Sequence, residues 1–289
     1  LAVAGGFDVP VYLGSRATFA LGQFGGHGGR TLAAGDMLPL GRQAHAEVDR
    51  MIPEALIPDY TDHWSIGVLY GPHGAPDFFT PESVEMFFST DWEVHYNSNR
   101  LGIRLIGPKP QWTRSDGGEA GLHPSNIHDT EYAIGAINFT GDMPVILGKD
   151  GPSLGGFVCP ATIVKAELWK MGQLKPGDKV RFTPLDAATA QRLDQARLRL
   201  LDTLAPQPEL DLNTPPHCPL GSPILARRPE APGLPGVVYR QAGDSYVLLE
   251  YGPNVLDLRV RFRIHALMEA LHTQAVPGID ELSPGVRSL

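Results

Sequence analysis

Residues 121–160, GLHPSNIHDTEYAIGAINFTGDMPVILGKDGPSLGGFVCP, restrict the fold more than any other stretch of the chain. They hold seven glycines and four prolines. Between these lie Asn126, Asn138, Asp129, Asp142, Asp150, His123 and His128. No long helix can run through so many turn formers. Only short apolar pieces such as 144–147 interrupt them. The stretch reads as loops held close to a ligand, where rigid backbone and side-chain amides do the recognising. The whole chain shares the bias: 33 glycines and 27 prolines in 289 residues make about a fifth, against an ordinary ~12%. With 42% hydrophobic residues there is still material for a sizeable core. Short strands and many turns, in two domains, are the expectation.

A net charge of −8, without a basic cluster, argues against a nucleic-acid surface. No apolar run reaches the ~18 residues that a membrane span requires. Cys159 and Cys218 lie far apart and form no CxxC pair, so both read as free thiols of a reducing, cytoplasmic compartment. No positively charged leader is visible. The chain starts without methionine, in a strand-like pattern, and reads as an internal piece of a longer polypeptide.

Local patterns set the expected elements. In 1–41, Val3, Val9, Val11 and Leu13 fall on odd positions, as strands between glycine turns would require. Residues 64–70 alternate as a strand. Thr80-Pro81-Glu82 opens a helix with a capping hydroxyl, a proline and an acid in its first turn. Residues 93–96 and 102–106 read as paired strands, and 179–182 as a further one. Residues 161–171 stay open between helix and strand. Asp186 caps a helix running to about Leu204, with Leu193, Leu200 and Leu204 on one face. Residues 206–236 hold nine prolines in 31 positions and read as an extended linker. Beyond it come strands over 237–251, a helix from about Leu256 to Leu271, and a strand near Val286. The expected domains are 1–205 and 237–289, the first incomplete at its start and the second at its end. The expected class is mainly β, with a small α+β module following.

Several chemical motifs fade on inspection. GGHGGR (25–30) lacks the GK[ST] ending of a phosphate loop and reads as a tight turn of backbone on backbone. His45, His63, His73 and His95 show no i, i+4 pairing, so they read as surface or core histidines. His123 and His128 beside Asp129 could make a metal triad, but loop bracing, with a histidine hydrogen-bonded to Asp129, is the simpler reading. No GxSxG elbow occurs, and Ser153 reads as a turn hydroxyl. Arg16 braces or binds an anion, with bracing preferred. Lys165 and Glu167 read as an exposed strand pair. Asn138 stands out, flanked by Ile137 and Phe139. Alternation points it away from both, and a neutral carboxamide there can accept one hydrogen bond and donate another. A structural amide pinning a turn is the competing reading.

The block 121–160, with Asn126, Asn138 and the run 150–160, closely resembles the carboxyltransferase domain of biotin-dependent urea carboxylases. The opening 1–41 and residues 237–271 carry the same resemblance, so nearly the whole chain is covered. The two halves resemble allophanate-hydrolase-like subunits 2 and 1, which also occur as separate subunits of bacterial 5-oxoprolinases. The resemblance implies a cyclophilin-like β-barrel followed by the start of an α+β module. It implies transfer of CO2 from carboxybiotin to urea, giving allophanate. The biotin would ride on a separate carrier domain and not on this chain, and ATP would be used by a biotin carboxylase domain elsewhere. Allophanate hydrolase is the implied pathway partner. No metal is needed on this reading. Asn138 and Asp142 are the implied catalytic candidates. Asn138, Asn126, Asp129 and His128 are the candidates for holding substrate, and the biotin-contacting residues stay unassigned. A neutral asparagine suits urea, whereas cationic guanidinium would favour an aspartate. The alternatives are a guanidine carboxylase, a 5-oxoprolinase component, or a non-enzymatic module that regulates a kinase.

Overall fold

A computed structural model describes residues 3–42, 52–205 and 221–289. His45 and Cys218 lie outside the described residues, as does the first part of the proline-rich 206–236 stretch. The chain divides into two compact units, Leu1–Ile57 and Pro58–Leu289.

The first unit has little regular structure. β1 (Thr18–Phe19) pairs with β2 (Phe24–Gly25), and single bridges join Phe7 to Leu40 and Tyr12 to Ser15. The alternation of Val9, Val11 and Leu13 therefore does not make a long strand. Val11 and Leu13 are exposed, and Leu13 takes a positive φ that no strand allows. GGHGGR is the expected tight turn. A Cβ on Gly25 would lie 2.3 Å from Ala17 O, and one on Gly29 would lie 2.2 Å from Gln23 O, both at positive φ. Arg16 braces locally, 3.3 Å from Phe7 O and 3.5 Å from Asp8. A cavity of about 790 Å³ opens in this unit, with Arg16, His27 and Arg42 on its wall.

The second unit is built on a closed seven-stranded barrel. In chain order come β3 (His63–Tyr70), α1 (Pro81–Ser89), β4 (Trp92–Val94) and β5 (Gly102–Ile106). After them come β6 (Asn126–Glu131), β7 (Ala136–Thr140), β8 (Met143–Leu147), β9 (Leu154–Phe157), β10 (Ala161–Ile163) and β11 (Lys179–Leu185). The barrel order is β10-β3-β11-β4-β5-β8-β7. β11 runs parallel to β3, with Phe182 opposite Ile66. Inward residues fill the barrel: Ile66, Val68, Trp92, Leu105, Ile137, Phe139, Ile146 and Phe182 are essentially inaccessible. The Phe87 ring stacks on Phe182 at 5.1 Å. Thr80 caps α1 through the Ser83 amide, as its sequence requires, and Val84 and Phe87 turn into the core. β6 and β9 pair as a separate ribbon with a register shift between Asn126 and Thr130. The ambiguous stretch after Cys159 resolves as strand β10 followed by a 3-10 turn over Lys165–Gly172. Glu167 is therefore not an exposed partner of Lys165. It is buried and accepts from the Gly67 amide and Lys170.

α2 (Ala187–Thr203) follows, capped by Asp186. Within the stretch read as linker, Ile224–Arg228 forms β12 and pairs with β13 (Val237–Gln241). β13 pairs in turn with β14 (Val247–Tyr251). α3 (Leu258–Gln274) packs Ile264, Val260, Leu267 and Met268 against Val237 and Tyr251, closing a small α+β layer. The expectation of a mainly β chain, with a barrel and then an α+β module, therefore holds.

Candidate functional site

The β7–β8 hairpin positions both leading candidates, but in different surroundings. Ile137 and Phe139 point into the barrel core. Asn138 points the other way, as alternation requires. On that outer face lie Ala136, Val145, Tyr132 and Cys159, roofed by the β6–β9 ribbon. Asn138 is only 4% exposed. Its carboxamide neighbours the Tyr132 hydroxyl, and its Oδ1 lies 3.5 Å from the Thr140 hydroxyl. The Tyr132 hydroxyl accepts from the Phe157 amide at 2.8 Å, tying the ribbon down over Asn138. Burial pushes the Cys159 thiol well above its usual range, so it is no nucleophile at neutral pH.

Asp142 sits in the two-residue turn that joins β7 to β8. Its carboxylate accepts from the Trp112 indole N–H at 3.0 Å and lies 3.3 Å from Lys109 Nζ and 3.2 Å from His123 Nε2. Partial burial pushes this carboxyl up, but the Trp112 and Lys109 donors and the nearby His123 outweigh it and hold it below the usual carboxylate range. His123 Nδ1 accepts from the Ser125 amide at 3.2 Å and lies 3.0 Å from the Ser125 hydroxyl. Because Nδ1 is an acceptor there, the neutral ring carries its proton on Nε2, which lies near Asp142 without the alignment of a hydrogen bond. Ser125 Oγ also accepts from the Gly141 amide, which locks this histidine to the hairpin. Arg114 Nη1 donates to Pro124 O and Asn126 O at 3.2 and 2.7 Å, and so fixes the loop that presents His123.

The remaining candidates lie on β6. Asn126 faces Phe157 in the ladder. His128 Nε2 is 3.1 Å from the Glu119 carboxylate, at an angle short of a hydrogen bond. His128 therefore lies beside Glu119, and His123 lies beside Asp142 with Ser125 as its hydrogen-bond partner; neither histidine is braced by Asp129. Asp129 is exposed, and its backbone carbonyl accepts from the Val286 amide at 3.0 Å. The structure thus brings Asp142 together with His123, and places Asn126, His128 and Asp129 on β6, the strand of the ribbon that pairs with β9. Among the described residues no group of three or more His, Cys, Asp or Glu could hold a metal ion. Nor is any helix there long and apolar enough to cross a membrane.

Trp112, Lys109, Ser125 and Glu119 carry no local signal of a role. Trp112, Lys109 and Glu119 meet partners 30, 33 and 9 positions away in sequence, and Ser125 ties neighbouring His123 to Gly141, 16 positions on. A second buried group is equally silent. Glu250 on β14 accepts from Arg240 Nε and Arg287 Nη2, each at 2.5 Å. Arg240 also reaches Asp77 at 3.2 Å, and fully buried His73 adjoins this group. The only hint is a charge within each apolar run, VVYRQ and VLLEY.

A closed β-barrel joined to an α+β layer, with the buried Asn138 amide on the β7–β8 hairpin and Asp142 at its turn beside His123, defines a loop-rich β-barrel domain with its polar candidates gathered around one hairpin. Residues 1–184 match the family model "Carboxyltransferase domain, subdomain A and B", and 237–289 match "Carboxyltransferase domain, subdomain C and D". The chain belongs to the carboxyltransferase domain family. It is 51% identical to the urea amidolyase of Lachancea kluyveri over 301 aligned residues, covering all of this chain and 16% of that protein. The crystal structure of the Kluyveromyces lactis urea carboxylase superposes with a TM-score of 0.91 at 49% identity, covering 98% of this chain and 26% of that one. A 5-oxoprolinase subunit of Escherichia coli is 28% identical over 206 residues, covering 71% of this chain and 62% of that protein. The chain therefore spans about a sixth of the length of the curated amidolyase it matches.

Proposed function

We propose that this chain is the carboxyltransferase part of a biotin-dependent urea carboxylase, moving CO2 from carboxybiotin to a urea nitrogen to give allophanate. The observation that carries the reading is the whole-chain likeness, at about half identity, to proteins named urea amidolyase and urea carboxylase. Residues 1–205 and 237–289 are then its two domains, and the family-model limits of 184 and 237 support that division. Biotin carboxylase, biotin carrier and allophanate hydrolase domains are the proposed partners. ATP is consumed outside this chain. We place the activity in the cytoplasm.

The donor set at Asp142 suits biotin. Lys109 and His123 present N–H groups next to a carboxylate that stays ionised, which fits a ureido ring with one oxygen and two N–H groups. Biotin supplies the activated carboxyl group. Ser125 keeps the His123 tautomer with its proton on Nε2, the nitrogen that stands beside Asp142. Asn138 takes urea through one acceptor and one donor set, and its burial under the β6–β9 ribbon excludes the water that would compete for CO2. Asn126, His128 and Asp129 form the roof that positions the substrate.

Two substitutions in the complete parent polypeptide test this. Asp142→Asn should lower kcat/KM for urea by roughly a hundredfold, since it removes the negative charge that faces Lys109 and His123. An unchanged kcat/KM would take Asp142 out of the site. Asn138→Asp should shift the urea-to-guanidine activity ratio toward guanidine, and a constant ratio would refute the substrate role of Asn138.

A further inference from the structure

The segment 285–289 lies between the α+β layer and the ribbon that carries the candidate substrate residues. On one side Leu289 exchanges both backbone hydrogen bonds with Leu249, and the Tyr251 amide donates to Arg287 O at 2.9 Å. On the other, the Val286 amide donates to Asp129 O at 3.0 Å, and Ser288 Oγ bonds Thr130 Oγ1 at 3.3 Å. Half of the segment is thus an extra strand on β14, and half is a brace on β6.

Arg287 anchors the segment. It is nearly buried and donates Nη2 to Glu250 at 2.5 Å, Nη1 to Gly252 O at 3.1 Å and Nε to Asn254 Oδ1 at 3.2 Å. Glu250 is shared with Arg240, which continues to Asp77 and Pro72 O in the barrel unit. A carboxylate buried between two guanidiniums has one well-defined position, because any displacement leaves a charge unpaired. The planar fork of Arg287 transmits that position to Val286 and Ser288.

We propose that Arg287, held by Glu250, is a positioning residue for the substrate site: it sets where β6, and so Asn126, His128 and Asp129, stands over Asn138. This rests on the urea reading above for its kinetic consequence, but not for its structural one. Nothing in 285–289 touches the candidate catalytic groups, so the effect passes through the ribbon.

The test uses the complete parent polypeptide and three variants, Arg287→Met, Arg287→Lys and Ser288→Ala. Hydrogen exchange at the amides of 126–131 reads the brace directly, and urea kinetics read its consequence. Arg287→Met should speed exchange at 126–131 by about tenfold or more while the barrel amides of β3 and β11 stay protected. It should raise KM for urea by about tenfold to a hundredfold with kcat within about twofold. Arg287→Lys should recover part of both effects, and Ser288→Ala should give a smaller change in the same direction. Unchanged exchange at 126–131 in folded Arg287→Met would overturn the proposal. So would a fall in kcat at constant KM, which reports only lost folded enzyme. If the wild type failed to carboxylate urea, the functional reading would fall while the exchange arm still decided the brace.

Discussion

The barrel interior and the Arg240–Glu250–Arg287 seam against the β12–β14 sheet are both buried and built from opposite chemistry. The interior is aromatic and branched aliphatic: Trp92, Phe139, Phe182 and Ile146 pack among similar side chains. The seam contains Arg240, Glu250 and Arg287, with His73 and Asp77 at its barrel side. Apolar packing contributes stability in proportion to the area removed from water and tolerates small shifts. A buried ion-pair group contributes little net stability but tolerates almost no displacement. The barrel therefore holds the unit together, and the seam decides how the α+β layer registers on it.

The largest effect should come from splitting the seam. Glu250→Leu leaves two buried guanidiniums without their shared carboxylate and should cost about 3–5 kcal/mol in denaturant unfolding. A loss under about 1 kcal/mol would mean water reaches the seam, and the contrast with the barrel would collapse. Replacing all three charges together, as Arg240→Met, Glu250→Leu and Arg287→Met, should cost far less than the single change.

Acid should act on the seam before it acts on the barrel. Burial pulls His73 down to about 3, with the two arginines adding to it and Glu250 opposing. Its Nδ1 accepts from the Cys159 amide at 3.0 Å, so the folded state keeps the ring neutral. The unfolded chain protonates this histidine near its ordinary value of 6.5 and the folded one does not. Stability from this group is complete above about pH 6.5 and falls as the pH drops toward 3, by up to about 1.4 kcal/mol per unit. His73→Asn, which keeps an acceptor, should flatten that part of the pH–stability curve. Identical slopes for the two proteins would sink the assignment.

Within the barrel, Ile137→Val should cost about 0.5–1.5 kcal/mol and leave urea kinetics unchanged. Smallest of all, Thr80→Ala should cost about 1 kcal/mol by removing the cap of α1, measurable as a small fall in the melting temperature.

What was legible in the sequence follows the same division. Elements specified by neighbours in the chain were readable: the Thr80 and Asp186 caps, the strand at 102–106, and the apolar stripe of α3. Asn138 falls on the expected face because a strand alternates. Groups specified by distant partners were not readable. Arg240 and Glu250 look like ordinary outward charges until segment 285–289 and Asp77 cover them. The odd-numbered valines of the opening look like a strand, but glycines at 5, 6 and 14 adopt positive φ and break the ladder. In the proline-rich stretch, pairing with β13 makes a strand of 224–228, where composition alone indicates only extended chain.

The central claim is that this domain recognises urea through a neutral amide held in a dry, roofed site. It is tested most directly by calorimetric titration of urea and of guanidine into the complete carboxyltransferase domain, with free biotin present. Urea binding should disappear in Asn138→Ala, and guanidine should bind at least about tenfold more weakly than urea. Guanidine binding tighter than urea, or urea binding untouched by Asn138→Ala, would contradict the claim.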